Sequence, residues 1–244
     1  MSNFLTGALR NVRRGAIDAA RRALPQRCEL CATVSGAELI CSGCLASLPR
    51  LGPACPVCAL PSSNGEVCGA CLVDPPPFEA TVAAFVYAFP VDRLLHAFKY
   101  HGRLALAEWG AGAILEEHAR HRGAHRPDRL IALPLASERQ RERGYNQAFE
   151  IARAIGERLR VPLLSKGVKR VRAAPPQAAL PWSERAKNVR GAFACELDLG
   201  GMSVAIVDDV MTTGASLAEL AKAVRRAGAL VAFWFGPVVL QNEN

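Results

Sequence analysis

Two adjacent acidic residues followed by a polar turn form the stretch of this sequence best suited to ligand chemistry. Asp208 and Asp209 come directly after an apolar run at 204–207, and the turn 212–214 precedes a helical pattern that starts at Ala215. Such a turn favours phosphate, because free backbone N–H groups and the helix dipole attract an anion. Carboxylates do not suit a bare phosphate, but they accept hydrogen bonds from a ribose diol and help to hold a divalent cation. The stretch therefore predicts a site for a phosphate carried on a sugar.

A second chemical pattern consists of four Cys-x-x-Cys pairs. Their members are Cys28, Cys31, Cys41, Cys44, Cys55, Cys58, Cys68 and Cys71. The spacing of the first four recurs in the second four, so the pattern is an internal repeat. Two pairs of thiolates complete a tetrahedral zinc site, and four thiolates leave no open coordination position. The repeat predicts two structural zinc ions in a segment that needs metal to fold. Sequential ribbons are favoured, an interleaved pairing stays open, and disulfides are the alternative.

A third group of candidate residues is basic. Arg139, Arg141 and Arg143 alternate in a predicted loop at 137–147, after an apolar strand at 129–135. Ligands of open α/β sheets lie at the carboxyl ends of strands, so this loop and the acidic pair are expected to face one crevice. The arginines then predict an anion with more charge than one phosphate, and a solvated basic face is the alternative.

The elements that must position these residues follow from hydrophobic periodicity. The predicted elements are a strand at 81–89, helices at 91–99 and 104–121, a strand at 129–135, a helix at 148–159, strands at 191–195 and 204–207, a helix from 215, and a final strand at 230–235. This alternation predicts an α/β protein with a parallel sheet. Residues 169–177 are expected to form a mobile loop over the site, and 182–190 a short capped helix. Neither Gly-x-x-x-x-Gly-Lys-Ser/Thr nor Gly-x-Gly-x-x-Gly occurs, which argues against kinase and dehydrogenase functions.

Composition limits the setting in which the protein works. The net charge of +8 and the pI near 9.2 suit an acidic partner such as nucleic acid, a phosphate-rich ligand or an anionic membrane. Residues 4–24 form a basic amphipathic pattern, which indicates a helix packed on the adjacent domain or lying on a membrane. With no transmembrane span or secretory signal in the sequence, we expect a cytoplasmic protein with reduced thiols. His96 and His101 are interpreted as packing or surface groups rather than metal ligands.

The run at 207–216 resembles the phosphoribosyl pyrophosphate (PRPP) loop of type I phosphoribosyltransferases, and the order of elements is similar. Further segments resemble the ComF family (ComFC and GntX proteins), which also carries an N-terminal Cys-x-x-Cys zinc module. These segments are Arg143-Gly144-Tyr145-Asn146-Gln147, Arg170-x-Arg172 with Pro176-Gln177, Glu184-Arg185 with Asn188-Val189, and Gly191-Ala192-Phe193. Two departures are visible, since Tyr145 stands where the family usually has Phe and Ala174 where it usually has Thr.

The resemblance implies a fold and a set of site residues. The fold class would be α/β, a type I phosphoribosyltransferase-like parallel sheet flanked by helices and preceded by a small zinc-ribbon module. Its parts would be a basic helix at 1–25, a double zinc ribbon at 26–74 and a phosphoribosyltransferase-like domain at 78–244. Asp208 and Asp209 would hold the ribose hydroxyls of PRPP and be the catalytic residues of an active enzyme. The remaining PRPP ligands would be Thr212, Thr213, Gly214, Ala215 and Ser216 at the 5′-phosphate, and Pro134 to Arg139 with Arg141 and Arg143 at the pyrophosphate, with Mg²⁺ as a bridge.

Two functions of different classes follow from this resemblance. The first is a ComF-like protein that binds PRPP and handles single-stranded DNA during competence-linked uptake. Its partners would include a competence helicase or the inner-membrane uptake machinery, and it would be cytoplasmic and peripheral to the inner membrane. The second is an active phosphoribosyltransferase that acts on a nucleobase or related acceptor. No acceptor pocket is visible in the sequence.

Overall fold

The computed structural model describes residues 26–120, 125–172 and 189–239. The predicted helices at 4–24 and 182–190 lie mostly or wholly outside the described residues, as does the predicted loop beyond residue 172. Contacts between residues divide the chain into two compact units, with the division between Leu48 and Pro49. The domain limits expected from the sequence differ from this division and stay a prediction.

The described residues of the first unit, 26–48, contain two short strands and one short helix. Strands β1 (Gln26–Arg27) and β2 (Val34–Gly36) pair antiparallel, and helix α1 spans Ser42–Ala46. Cys28 and Cys31 lie in the turn between the strands, and Cys41 and Cys44 lie at the start of the helix. The two cysteine pairs are therefore carried on separate turns of one small ribbon.

The second unit contains the remaining elements. Its helices are α2 (Gly69–Val73), α3 (Val91–Tyr100), α4 (Ala105–Arg120), α5 (Ser137–Arg143), α6 (Gln147–Leu159) and α7 (Ala215–Arg226). Its strands are β3 (Ala80–Val86), β4 (Arg129–Ala132), β5 (Leu163–Leu164), β6 (Val168–Arg170), β7 (Phe193–Cys195), β8 (Ser203–Val207), β9 (Val210–Met211) and β10 (Leu230–Val239).

A six-stranded sheet forms the centre of the second unit. Its strands run parallel in the order β3-β10-β8-β4-β5, and β9 pairs with β10 beside this path. Helices α4, α6 and α7 pack on these strands. The predicted α/β class with a parallel sheet flanked by helices is confirmed. The final strand is longer than predicted and lies inside the sheet, between β3 and β8.

The central strand β8 shows why this sequence builds a sheet buried on both faces. Its residues Val204, Ala205, Ile206 and Val207 are all fully buried. A parallel strand covered by helices on both sides needs such a continuous apolar run, whereas a half-exposed strand alternates. The run ends at Asp208, so the polar residues begin where the strand leaves the sheet.

The second cysteine ribbon is attached to the sheet along strand β3. Thr81 donates its backbone N–H to the carbonyl of Pro56 at 2.9 Å and its hydroxyl to the carbonyl of Val57 at 2.6 Å. Ala59, which is 1% exposed, belongs to the same buried cluster as the strand residue Ala83. This ribbon therefore shares a hydrophobic core with the sheet.

Two local predictions are wrong. The expected loop at 137–147 begins with helix α5, because its Ser, Glu, Gln and Arg residues are compatible with a helix although they carry no apolar stripe. The expected irregular loop at 169–177 begins inside strand β6, which pairs antiparallel with β7. Among the described residues, no helix is long and apolar enough to cross a membrane.

Candidate functional site

The two predicted ligand loops leave the sheet side by side. Strands β4 and β8 are parallel neighbours, with Ala132 opposite Val207. Just beyond β4, Leu133 donates its backbone N–H to the carbonyl of Val207 at 2.9 Å. Pro134 and Asp208 therefore begin their loops at the same edge of the sheet, in agreement with the expectation that the two loops face one crevice.

The two acids of the pair are adjacent, and Asp208 is held by backbone contacts. Asp208 donates its backbone N–H to the carbonyl of Phe235 at 3.0 Å, which fixes the residue against the neighbouring strand β10. Its Oδ1 accepts the backbone N–H of Asp209 at 2.8 Å. Burial, followed by the negative charge of Asp209, raises the pKa of the Asp208 carboxyl well above its usual range. The carboxyl therefore holds its proton more tightly than a free one, and a bound cation would favour its ionised form.

Lys99 supplies a positive charge next to this pair. Its ammonium Nζ lies 3.0 Å from Oδ2 of Asp209, and the two side chains are only 20% and 14% exposed. Lys99 comes from the last turn of α3, so this helix forms a further wall of the site. Lys99 was not predicted as a site residue. Its sequence context shows only that it lies between Phe98 and Tyr100. An ion pair between residues as far apart in the chain as Lys99 and Asp209 leaves no local pattern.

The turn after the acidic pair has the geometry of an anion-binding helix start. Gly214 has φ +70°, a conformation that a side chain would strain, and α7 begins at the next residue. Thr213 Oγ1 accepts the backbone N–H of Ala215 at 3.2 Å, and Ala218 donates its N–H to the Gly214 carbonyl at 2.8 Å. The predicted turn over a helix N-terminus is therefore present.

The helical conformation of α5 separates the three predicted arginines. Arg139 and Arg143 are four residues apart and share one face of the helix, and both are half-buried. Arg141 is exposed, because a residue two positions along a helix points to the opposite side. The structure therefore places Arg139 and Arg143 together and turns Arg141 away from them.

The positive charge of Arg139 acts on a second arginine, Arg170, which is the last residue of β6. Burial, and then the charge of Arg139, lowers the pKa of Arg170. The guanidinium of Arg170 lies 5.6 Å from the centre of the Phe193 ring, which helps to hold it in place. A bound anion would relieve the repulsion between these two cations.

The residues after α5 fix this helix to its surroundings. Asn146 donates from Nδ2 to the carbonyl of Leu133 at 3.0 Å, while its Oδ1 caps α6 by accepting the N–H of Ala148 at 3.0 Å. The hydroxyl of Tyr145 donates to the carbonyl of Phe98 in α3. Strand β4, α5, α6 and the end of α3 are thus joined around one edge of the sheet.

Two clusters of four cysteines form candidate metal centres. The first cluster is Cys28, Cys31, Cys41 and Cys44, and the second cluster is Cys55, Cys58, Cys68 and Cys71. Within each cluster the sulfur atoms lie within 4.8 Å of one another, and the Cys31–Cys41 and Cys58–Cys68 sulfurs are 3.7 Å apart. Zinc–sulfur bonds of about 2.3 Å in a tetrahedron require sulfur–sulfur distances of roughly 3.8 Å. The clusters fit zinc, and their pairing is sequential rather than interleaved.

The pKa values of the thiols in the second cluster also favour a bound zinc ion. The backbone N–H of Cys68 donates to the sulfur of Cys55 at 3.4 Å, as a thiolate requires. Burial raises the pKa of Cys58 to about 11 and that of Cys71 higher still. Four thiols this close cannot all ionise on their own, so a cation must supply the compensating charge when all four act as ligands.

Comparison with known proteins agrees with both parts of the structure. A double zinc ribbon domain profile matches residues 19–72. DNA utilization protein YhgH of Salmonella typhimurium is 36% identical over 158 residues, which cover 64% of this chain and 70% of that protein. YhgH of Escherichia coli K12 is likewise 36% identical over 158 residues, with the same shares covered. Competence protein F of Haemophilus influenzae is 31% identical over 160 residues, 63% of this chain and 69% of that protein.

Among solved structures, adenine phosphoribosyltransferase from Thermoanaerobacter pseudethanolicus is similar to part of this chain. It is 17% identical, the match covers 57% of this chain and 83% of that chain, and the TM-score is 0.33.

Proposed function

The chain belongs to the ComF family, and on that premise we propose that it binds PRPP with Mg²⁺ at the loop after β8 and handles single-stranded DNA during natural competence. The observation that supports this proposal is the adjacency of β4 and β8, which brings the Pro134 loop and the acidic pair to one edge of the sheet. Acids for a ribose and cations for phosphates then lie within one site.

Each part of PRPP has candidate partners at this edge. Asp208 and Asp209 accept hydrogen bonds from the ribose hydroxyls, and residues 212–216 surround the 5′-phosphate at the start of α7. Arg139, with Arg170 close to it, faces the pyrophosphate. The Asp208 and Asp209 carboxylates would hold Mg²⁺, which would supply neutralising charge for the pyrophosphate. Arg141 does not contact the pyrophosphate in this proposal, because it is exposed on the opposite face of α5.

The DNA part of the proposal has separate support. The names of the relatives refer to DNA utilization and competence, and the net charge of +8 favours a polyanion. The two zinc ribbons and the basic side chains at the site would contact phosphates, with a cytoplasmic helicase or the inner-membrane uptake machinery as protein partners. Such binding must weaken steeply as salt rises, since phosphate contacts release counterions. Single-stranded DNA affinity that does not change with salt would contradict this part.

Calorimetric titration with PRPP and Mg²⁺ tests the ligand part. Asp209→Asn removes one charge that faces the ribose and is expected to abolish or strongly weaken binding. Asp198→Asn is the matched control, because Asp198 is exposed and lies in the turn before β8, at the opposite end of that strand. Its Oδ1 accepts the N–H of Gly200 at 3.1 Å, a bond that asparagine keeps. Equal binding by all three proteins would overturn the assignment.

The alternative function is an active phosphoribosyltransferase with a nucleobase or related acceptor. The neighbouring cations Arg139 and Arg170 favour it, because a departing pyrophosphate requires positive charge at that position. The test is pyrophosphate release from PRPP across a panel of acceptors. Release that requires a particular acceptor and is lost in Asp209→Asn would establish the enzyme, whereas PRPP binding without release would leave the DNA-handling function.

A further inference from the structure

An exposed tyrosine lies next to the acidic pair. Tyr100 ends helix α3 and is 52% exposed, although a large aromatic side chain at a helix end is usually covered. The residue before it, Lys99, makes the 3.0 Å ion pair with Asp209. This ion pair fixes the backbone of Tyr100 at the border of the proposed PRPP site.

Arg143 contacts this tyrosine. Its guanidinium carbon lies 5.3 Å from the centre of the Tyr100 ring, and its Nη2 donates to the Tyr100 hydroxyl at 3.5 Å. Arg143 also donates from Nη1 to Oε1 of Gln147 at 3.1 Å, so its position is held from a second side. Because Tyr100 follows Lys99, which pairs with Asp209, these contacts connect Arg143 to the border of the acidic pair.

One buried donor in this group, Nε of Arg143, has no hydrogen-bond partner within the described part of the chain. A buried N–H without an acceptor costs about as much as a lost hydrogen bond, so native proteins rarely keep one without reason. This atom can only donate, and it therefore favours a ligand that carries acceptor oxygens or nitrogens.

Aromatic rings continue the surface beyond Tyr100. The ring of His96 lies 4.9 Å from that of Tyr100, and the ring of His101 lies 5.1 Å from that of His96. The end of α3 thus carries three neighbouring rings beside cationic side chains. This combination of π-surfaces and positive charge is the one that binds bases of single-stranded nucleic acid.

From these contacts we propose that Tyr100 and Arg143 form a recognition site for a nucleobase beside the PRPP loop. The base stacks on the exposed part of the Tyr100 ring, and Arg143, whose guanidinium contacts that ring, supplies positive charge beside it. That this site lies beside bound PRPP rests on the proposed function. Its ligand chemistry is that of a nucleobase, whether the base is free or belongs to a single strand of DNA.

Binding measurements with three kinds of probe distinguish a free base from a base in single-stranded DNA. The probes are oligo(dT), an abasic oligonucleotide of the same length, and free adenine, guanine, hypoxanthine and uracil, each with and without PRPP and Mg²⁺. If bases on a strand are recognised, oligo(dT) binds more tightly than the abasic strand to the wild-type protein. Tyr100→Ala is expected to remove this difference, with a loss on the order of five- to 150-fold in oligo(dT) affinity. If free bases are recognised, one of them binds to the wild-type protein and not to Tyr100→Ala.

Two further variants and one titration complete the test. Tyr100→Phe keeps the ring and is expected to retain most of the affinity, whereas Tyr87→Ala removes another exposed tyrosine, 43% exposed, without effect. Calorimetry with PRPP and Mg²⁺ is expected to be unchanged in Tyr100→Ala, so failure of the base site is distinct from failure of the PRPP site. The base site is refuted if Tyr100→Ala binds every probe as the wild type does, or if Tyr87→Ala loses as much.

Discussion

The second zinc cluster is expected to stabilise the sheet directly. Three hydrogen bonds join its ribbon to β3, two from Thr81 to the carbonyls of Pro56 and Val57 and one from the Val86 N–H to the carbonyl of Pro49. Each contributes about 1 kcal/mol net, and a buried donor that loses its acceptor costs about 1–3 kcal/mol. Loss of this ribbon should therefore reduce the free energy of unfolding by roughly 3–5 kcal/mol.

The perturbation is Cys58→Ser, compared with Cys31→Ser at the equivalent position of the first cluster. A change of about 3–5 kcal/mol lowers the melting temperature of a chain of this size by roughly 6–20 °C. Only Cys58→Ser is expected to show it, because the first cluster belongs to the separate unit that ends at Leu48. Each variant should lose one of its two zinc ions.

Hydrogen exchange of the peptide that contains β3 supplies the local measurement. The backbone amides of Thr81 and Val86 should exchange on the order of 100-fold faster in Cys58→Ser, since about 3 kcal/mol corresponds to such a factor. In Cys31→Ser their exchange should match the wild type. The reasoning fails if both variants accelerate this peptide equally, or if Cys58→Ser releases zinc without affecting it.

Three other predictions, made with four variants, give independent tests. Asp208→Asn should raise the melting temperature near neutral pH. Because the folded pKa of Asp208 is raised, wild-type stability falls as pH increases above about 4 and through that pKa, so the gain should vanish below about pH 4 in a pH series of melting curves. Gly214→Ala should lower the urea midpoint by an amount equivalent to roughly 1–2 kcal/mol, since φ is +70° there, and unchanged stability would exclude this strain. Arg139→Gln should weaken the thermal stabilisation that pyrophosphate gives the wild type, whereas Arg141→Gln should not, and equal effects would refute the assignment of faces on α5.

Much of the fold could be predicted from local patterns. The continuous apolar run before Asp208 identified a buried parallel strand, and the repeated cysteine spacing identified two zinc clusters with the correct members. Helix α5 was missed, because its residues are charged and polar and give no hydrophobic period. That error also placed Arg141 beside Arg139 and Arg143, from which the helix separates it.

The remaining features depend on contacts between distant segments. Lys99 reaches Asp209 only because α3 ends at the same edge of the sheet as β8, and no spacing in the sequence encodes that meeting. The second ribbon is attached to β3 through the backbone carbonyls of Pro56 and Val57. Every residue type has a backbone carbonyl. Backbone contacts of this kind leave no pattern of side chains to detect.

The most direct test of the central claim is the coupling between the two proposed ligands. PRPP with Mg²⁺ is titrated calorimetrically into the protein alone and into the protein saturated with oligo(dT), and oligo(dT) is titrated with and without PRPP. We predict that PRPP binds in the presence of Mg²⁺, that Asp209→Asn prevents this, and that each ligand changes the affinity of the other by the same factor. Absence of PRPP binding to the wild-type protein at every Mg²⁺ concentration would contradict the account.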